Sequence, residues 1–67
     1  MDDEMVAMQR LARQVYPAIV YRCQTVTSDG VGCSVHLIMN GEHLLSAPNV
    51  HLLTLKIRHS NLAYMLD

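Results

Sequence analysis

Apolar and polar positions alternate with two different periods along this chain, and the change of period marks its parts. Met5, Met8, Leu11, Ala12 and Val15 recur at helical spacing, while Gln9, Arg10, Arg13 and Gln14 lie off that stripe. Asp2, Asp3 and Glu4 put negative charge where a helix N-terminus favours it. Pro17 lacks a backbone donor and restricts Tyr16, which stops the helix. The pattern therefore predicts an amphipathic helix over residues 2–15.

From Ala18 the period falls to two. Ile19, Tyr21, Cys23 and Thr25 alternate with Val20, Arg22, Gln24 and Val26 in β-branched-rich sequence, which reads as a first strand. Ser28-Asp29-Gly30-Val31-Gly32 has the composition of a turn. A second strand follows over about Cys33–Met39, and Asn40-Gly41 is a strong signal for a tight hairpin with positive φ at both positions. A third strand over Glu42–Ser46 then pairs Met39 with Glu42, Leu37 with Leu44 and Val35 with Ser46. If Val35 and Leu37 face the core, a first loop of three or five residues keeps Tyr21, Cys23 and Thr25 on that same face. A Ser28-Asp29-Gly30 loop, or a slightly longer one, is the expectation.

Ala47-Pro48-Asn49 breaks the chain again. Beyond it Leu53, Leu55 and Ile57 alternate with Thr54, Lys56 and Arg58, which favours a fourth strand over the rival reading of a helix spanning 50–66. Ser60-Asn61 is placed to cap a short closing turn or helix holding Leu62, Tyr64, Met65 and Leu66. The expected fold is a single α+β domain over residues 1–67: an N-terminal helix packed on a four-stranded antiparallel meander, with a short C-terminal helix.

Composition sharpens this picture in two ways. With 67 residues there is room for one modest core, and with no Phe or Trp it must be built from Leu, Val, Ile and Met. A core of that size is marginal alone, so self-association is expected. Beyond residue 4, five Lys and Arg residues stand against Asp29, Glu42 and Asp67, far short of the basic balance of a dedicated duplex-DNA binder. No apolar run approaches the ~20 residues needed to span a bilayer, and no export signal is visible, so a cytoplasmic protein with no membrane partner is expected. In that setting Cys23 and Cys33 are expected as free thiols.

Candidate chemistry is sparse. Cys23, Cys33, His36 and His43 are ligand types that suit zinc, but Cys33 and His36 are three apart on one strand and point to opposite faces, and no Cys-x-x-Cys element is present. Both cysteines read as core-facing and inert. Asp29 and Glu42 lie at different turns, so no carboxylate pair forms for acid–base work. Gly30-Val31-Gly32 is followed by neither a Lys-Ser/Thr nor a helix start, so it is no phosphate loop. The expectation is a protein with no catalytic residues, no metal and no cofactor.

What remains is a surface. With the helix on one face of the sheet, the other is expected to present Arg22, Gln24, Ser34, His36, His43, Thr54, Lys56 and Arg58, mixed with Val20, Val26, Ile38, Leu45 and Leu52, and of these Arg22, Gln24, His36, Thr54, Lys56 and Arg58 are the expected binding residues. Apolar residues in such numbers mark an interface. The expected function is protein–protein binding without catalysis, by a homo-oligomer that regulates or inhibits another protein by occupying its surface. Virus- and mobile-element-encoded inhibitors, anti-CRISPR proteins among them, are often of this size. The alternatives are a nucleic-acid-contacting regulator using Arg22, Lys56 and Arg58, or a structural subunit of a larger assembly.

Overall fold

A computed structural model describes residues 3–66. Helix α1 (Asp3–Val15) is followed by strands β1 (Ile19–Thr27), β2 (Gly30–Met39) and β3 (Glu42–Ala47), then helix α2 (Val50–Arg58) and a single 3₁₀ turn, Ala63–Met65. The sheet is antiparallel in the order β1-β2-β3. Both helices pack on one of its faces. The core joins Leu11 and Val15 of α1, Val20, Val35, Leu37 and Ala47 of the sheet, and Val50, Leu53 and Ile57 of α2, and Met65 closes its end.

Helix α1 forms as its periodicity predicts, with Leu11 and Val15 buried and Ala7, Met8 and Ala12 packed beside them. Met5 departs from the stripe and stays exposed. The expected start at Asp2 lies outside the described residues.

The expected fourth strand is a helix. Asn49 adopts an extended backbone, φ −152° and ψ 171°, and its side-chain oxygen accepts from the Leu52 amide at 2.8 Å, satisfying a first-turn donor that the helix itself leaves unpaired. Val50, Leu53 and Ile57 then fall at i, i+3 and i+7 and are all buried. The alternation of Leu53, Leu55 and Ile57 was compatible with both periods, and burial of Val50 decides for the longer one. The expected short C-terminal helix is only the 3₁₀ turn, preceded by Ser60, whose hydroxyl donates to the Ile57 carbonyl and accepts from the Leu62 amide.

Two register differences reassign the sheet faces. Thr27 pairs with Gly30, leaving Ser28-Asp29 as a two-residue loop in place of three or five. Because side chains alternate, this one change reverses the whole of β1. Val20 pairs with Leu37 and Arg22 with Val35 on the helix side, whereas Tyr21 and Cys23 look outward, paired with His36 and Ser34. At the other hairpin Asn40 and Gly41 take the expected positive φ, 55° and 77°, and Met39 pairs with Glu42. The register then shifts between Leu37 and Ile38, so that Leu37 meets Leu45 and Val35 meets Ala47, not Leu44 and Ser46. The residue gained by this bulge lets Leu44 and Leu45 both pack against the core and turns Ala47 inward.

The helices cover only part of the sheet. Every residue from Tyr21 to Gly32 is exposed, so the distal half of the β1–β2 hairpin stands out from the core as a two-stranded ribbon. The ten residues of β2 span about 30 Å, most of the molecule's 38 Å long dimension.

Candidate functional site: the exposed ribbon and the outer sheet face

Side-chain alternation gives the ribbon two different faces. On the helix side of the exposed ribbon lie Arg22, Gln24 and Val26 of β1 and Val31 and Cys33 of β2. Val26 and Val31 are directly paired yet 82% and 69% exposed, an apolar pair at the tip that the fold leaves in water. Arg22 lies across the ribbon, its Nε donating to the Cys33 Sγ at 3.1 Å.

The outer face carries Ile19, Tyr21 and Cys23 from β1, Ser34, His36 and Ile38 from β2, and His43 from β3. Tyr21 and His36, opposite one another, stack with ring centroids 4.9 Å apart and planes 18° from parallel. His36 in turn meets His43 edge-on, and His36 Nδ1 lies 2.9 Å from His43 Nε2. No helix covers this face among the described residues.

The two edges of the sheet differ. Across β3, Lys56 of α2 donates from Nζ to the Ser46 carbonyl oxygen at 2.8 Å. Among the described residues strand β1 has β2 on one side and no strand on the other. Its nine residues include no Pro and no bulge, and Arg22 is the one charge. In a two-residue hairpin the pair flanking the loop exchanges both hydrogen bonds, and bonded pairs then alternate along the ladder. The backbone groups of Val20, Arg22, Gln24 and Val26 therefore point to the open edge.

The six residues expected on one binding face separate into three locations. Arg22 and Gln24 lie on the helix side of the ribbon and His36 on the outer face. Thr54, Lys56 and Arg58 belong to α2: Thr54 Oγ1 donates to the Val50 carbonyl, Lys56 ties down β3, and Arg58 lines an open groove of about 550 Å³ between the helices, with Glu4, Arg10, Gln14 and His51. The reversal of β1 and the helical fold of 50–58 account for the separation. Val20, Val26, Leu45 and Leu52 also leave the expected face, Val20 and Leu45 for the core side, Val26 for the helix side of the ribbon and Leu52 for α2. Ile38 and His43 remain outward. The cysteines are free thiols, but Cys23 is exposed and Cys33 half-buried, so neither occupies the core position expected for it. Sequence reasoning placed Val26, His36 and His43 on the outer face but missed the pairing of Val26 with Val31 at the tip and the stacking of Tyr21 on His36, both of which depend on the two-residue loop.

Comparison with protein-family models, curated proteins and solved structures returns no match to this chain. No helix among the described residues is long and apolar enough to cross a membrane.

Proposed function

We propose that this protein is a non-enzymatic interaction module that works by strand addition, in which the open edge of β1 pairs with an extended chain and the exposed ribbon carries the contact. The observation behind this reading is the edge itself. Natural sheets blunt a long edge with Lys, Pro, a bulge or a covering helix, because unpaired N–H and C=O groups template the addition of another strand. Over nine residues β1 has one Arg and none of those other devices, while the opposite edge of the sheet is crossed by Lys56. A regulator or inhibitor that acts by occupying a surface needs such a feature and no catalytic group.

The sequence of β1 suits a second copy of itself as the added strand. Antiparallel pairing centred on Cys23 is the one register that matches all of β1 with all of its counterpart: Ile19 with Thr27, Val20 with Val26, Tyr21 with Thr25, and Arg22 with Gln24. In it the single cation never meets itself, and the exposed Val26 lies beside the buried Val20 of the other copy. The polar groups of positions 20, 22, 24 and 26 make the bonds, which leaves Cys23 opposite Cys23 at a non-bonded position where Cα atoms are about 4.5 Å apart. That separation falls within the range a disulfide spans.

For the nucleic-acid alternative, Arg22 lies on the ribbon, whereas Lys56 and Arg58 lie on α2, one against β3 and the other in the groove between the helices. Mild oxidation of a Cys33→Ser variant tests the proposal: a Cys23-linked dimer is expected at micromolar protein. Exclusive recovery of monomer would count against it.

A further inference from the structure

Two imidazoles on the uncovered face meet nitrogen to nitrogen. His36 of β2 and His43 of β3 hold Nδ1 and Nε2 2.9 Å apart, with ring centroids 5.1 Å apart and planes 64° from parallel. A contact this short between neutral rings requires one nitrogen to donate and the other to accept. We infer that this pair is a two-point site for a divalent transition-metal cation of the kind that takes imidazole ligands, Ni²⁺, Cu²⁺ or Zn²⁺.

Imidazole nitrogens that share one cation through bonds of about 2.0–2.1 Å stand about 2.9–3.3 Å apart. A pair already held at 2.9 Å by a hydrogen bond is therefore close enough to share a cation without the strands separating. Metal binding needs both lone pairs aimed at one point, so each ring must turn from its hydrogen-bonded orientation. His43 is exposed and has room to turn. Its partner is half-buried and flanked by the Tyr21 ring, which limits the alternatives His36 can adopt. The ring that donates in the hydrogen bond moves its proton through solvent to its far nitrogen, so both rings bind neutral and no proton is lost overall.

Two protein ligands leave the remaining coordination positions to water, and the outer face is open to supply it. Among the described residues no third His, Cys, Asp or Glu joins the pair. The cation is therefore exchangeable, and folding does not depend on it. This inference stands apart from strand addition, because it uses β2 and β3 and not the open edge of β1.

Titration calorimetry with Ni²⁺ in a non-coordinating buffer, on a Cys23→Ser/Cys33→Ser chain so that thiols supply no ligand, tests it. We expect one Ni²⁺ per chain, with affinity kept in His51→Ala/His59→Ala and lowered at least tenfold in His43→Ala. The same loss is expected in His36→Phe, which keeps a ring against Tyr21 and so separates ligand loss from loss of packing. Equal affinity in His43→Ala, loss confined to the His51/His59 variant, or no saturable binding would overturn the site.

Discussion

The carboxylate of Glu4 accepts a hydrogen bond from the Val50 amide at 2.7 Å across a sequence separation of 46 residues. An acidic side chain in the first turn of α1 thus satisfies a first-turn donor of α2, and Asn49 satisfies another in the same turn. Negative charge at this end of α2 also opposes the helix dipole favourably. The two contacts fix where α2 begins and how it sits against α1, which in turn sets how much of the sheet the helices can cover.

Replacing Asn49 by Ala is expected to cost about 0.5–2 kcal/mol, the usual loss for an N-cap. Glu4→Ala, which removes a charged hydrogen bond to a backbone amide, is expected to cost about 1.5–3 kcal/mol. The two residues serve one turn, so the double variant should deviate from additivity. Urea unfolding of the two single variants and the double variant measures all three quantities, and a Glu4→Ala protein of unchanged stability would show that this contact between helices contributes nothing.

Leu53 and Leu37 are fully buried in a core without Phe or Trp. Truncating either to Ala should cost about 2–5 kcal/mol, a large part of what a domain of this length has. Exposed Leu52, on the same helix as Leu53, should tolerate Ala within about 0.5 kcal/mol. Thermal melts of Leu52→Ala and Leu53→Ala side by side check which face of α2 is buried, and Val50→Ala separates the helical assignment of 50–58 from the alternating strand reading, because the helix buries Val50 whereas the strand turns it outward with Leu52.

The thiols should differ in reactivity. Cys23 is exposed on the outer face, whereas Cys33 is half-buried and receives a hydrogen bond from Arg22. A thiol reagent used at low excess should modify Cys23 first, as read by peptide mass mapping. The two lie on opposite faces of the ribbon, so no disulfide should form between them within one chain.

The legible parts of this fold are those where a local signal acts alone. Asp3 and Glu4 before the Leu11 and Val15 stripe specify α1, and Asn40-Gly41 specifies its hairpin, because few other residues accept positive φ at both positions. The phase of β1 was not legible, since burial patterns report phase only where one face is covered, and from Tyr21 to Gly32 neither face is. The bulge that admits both Leu44 and Leu45 to the core has no local signature. For α2 a usable signal existed: Asn49 directly after Pro48 is an N-cap, and Val50 starts the buried spacing. The binding face failed as a unit because it depended on both the β1 phase and the fourth strand.

Sedimentation of wild-type protein beside Gln24→Pro tests the central claim most directly. The Gln24 N–H points to the open edge, so proline there removes a bond needed by an added strand and leaves the β1–β2 ladder intact. The account predicts a wild-type dimer at micromolar concentration and a Gln24→Pro monomer whose circular dichroism matches the wild type. A wild-type monomer, or a Gln24→Pro protein that dimerises as the wild type does, would contradict it.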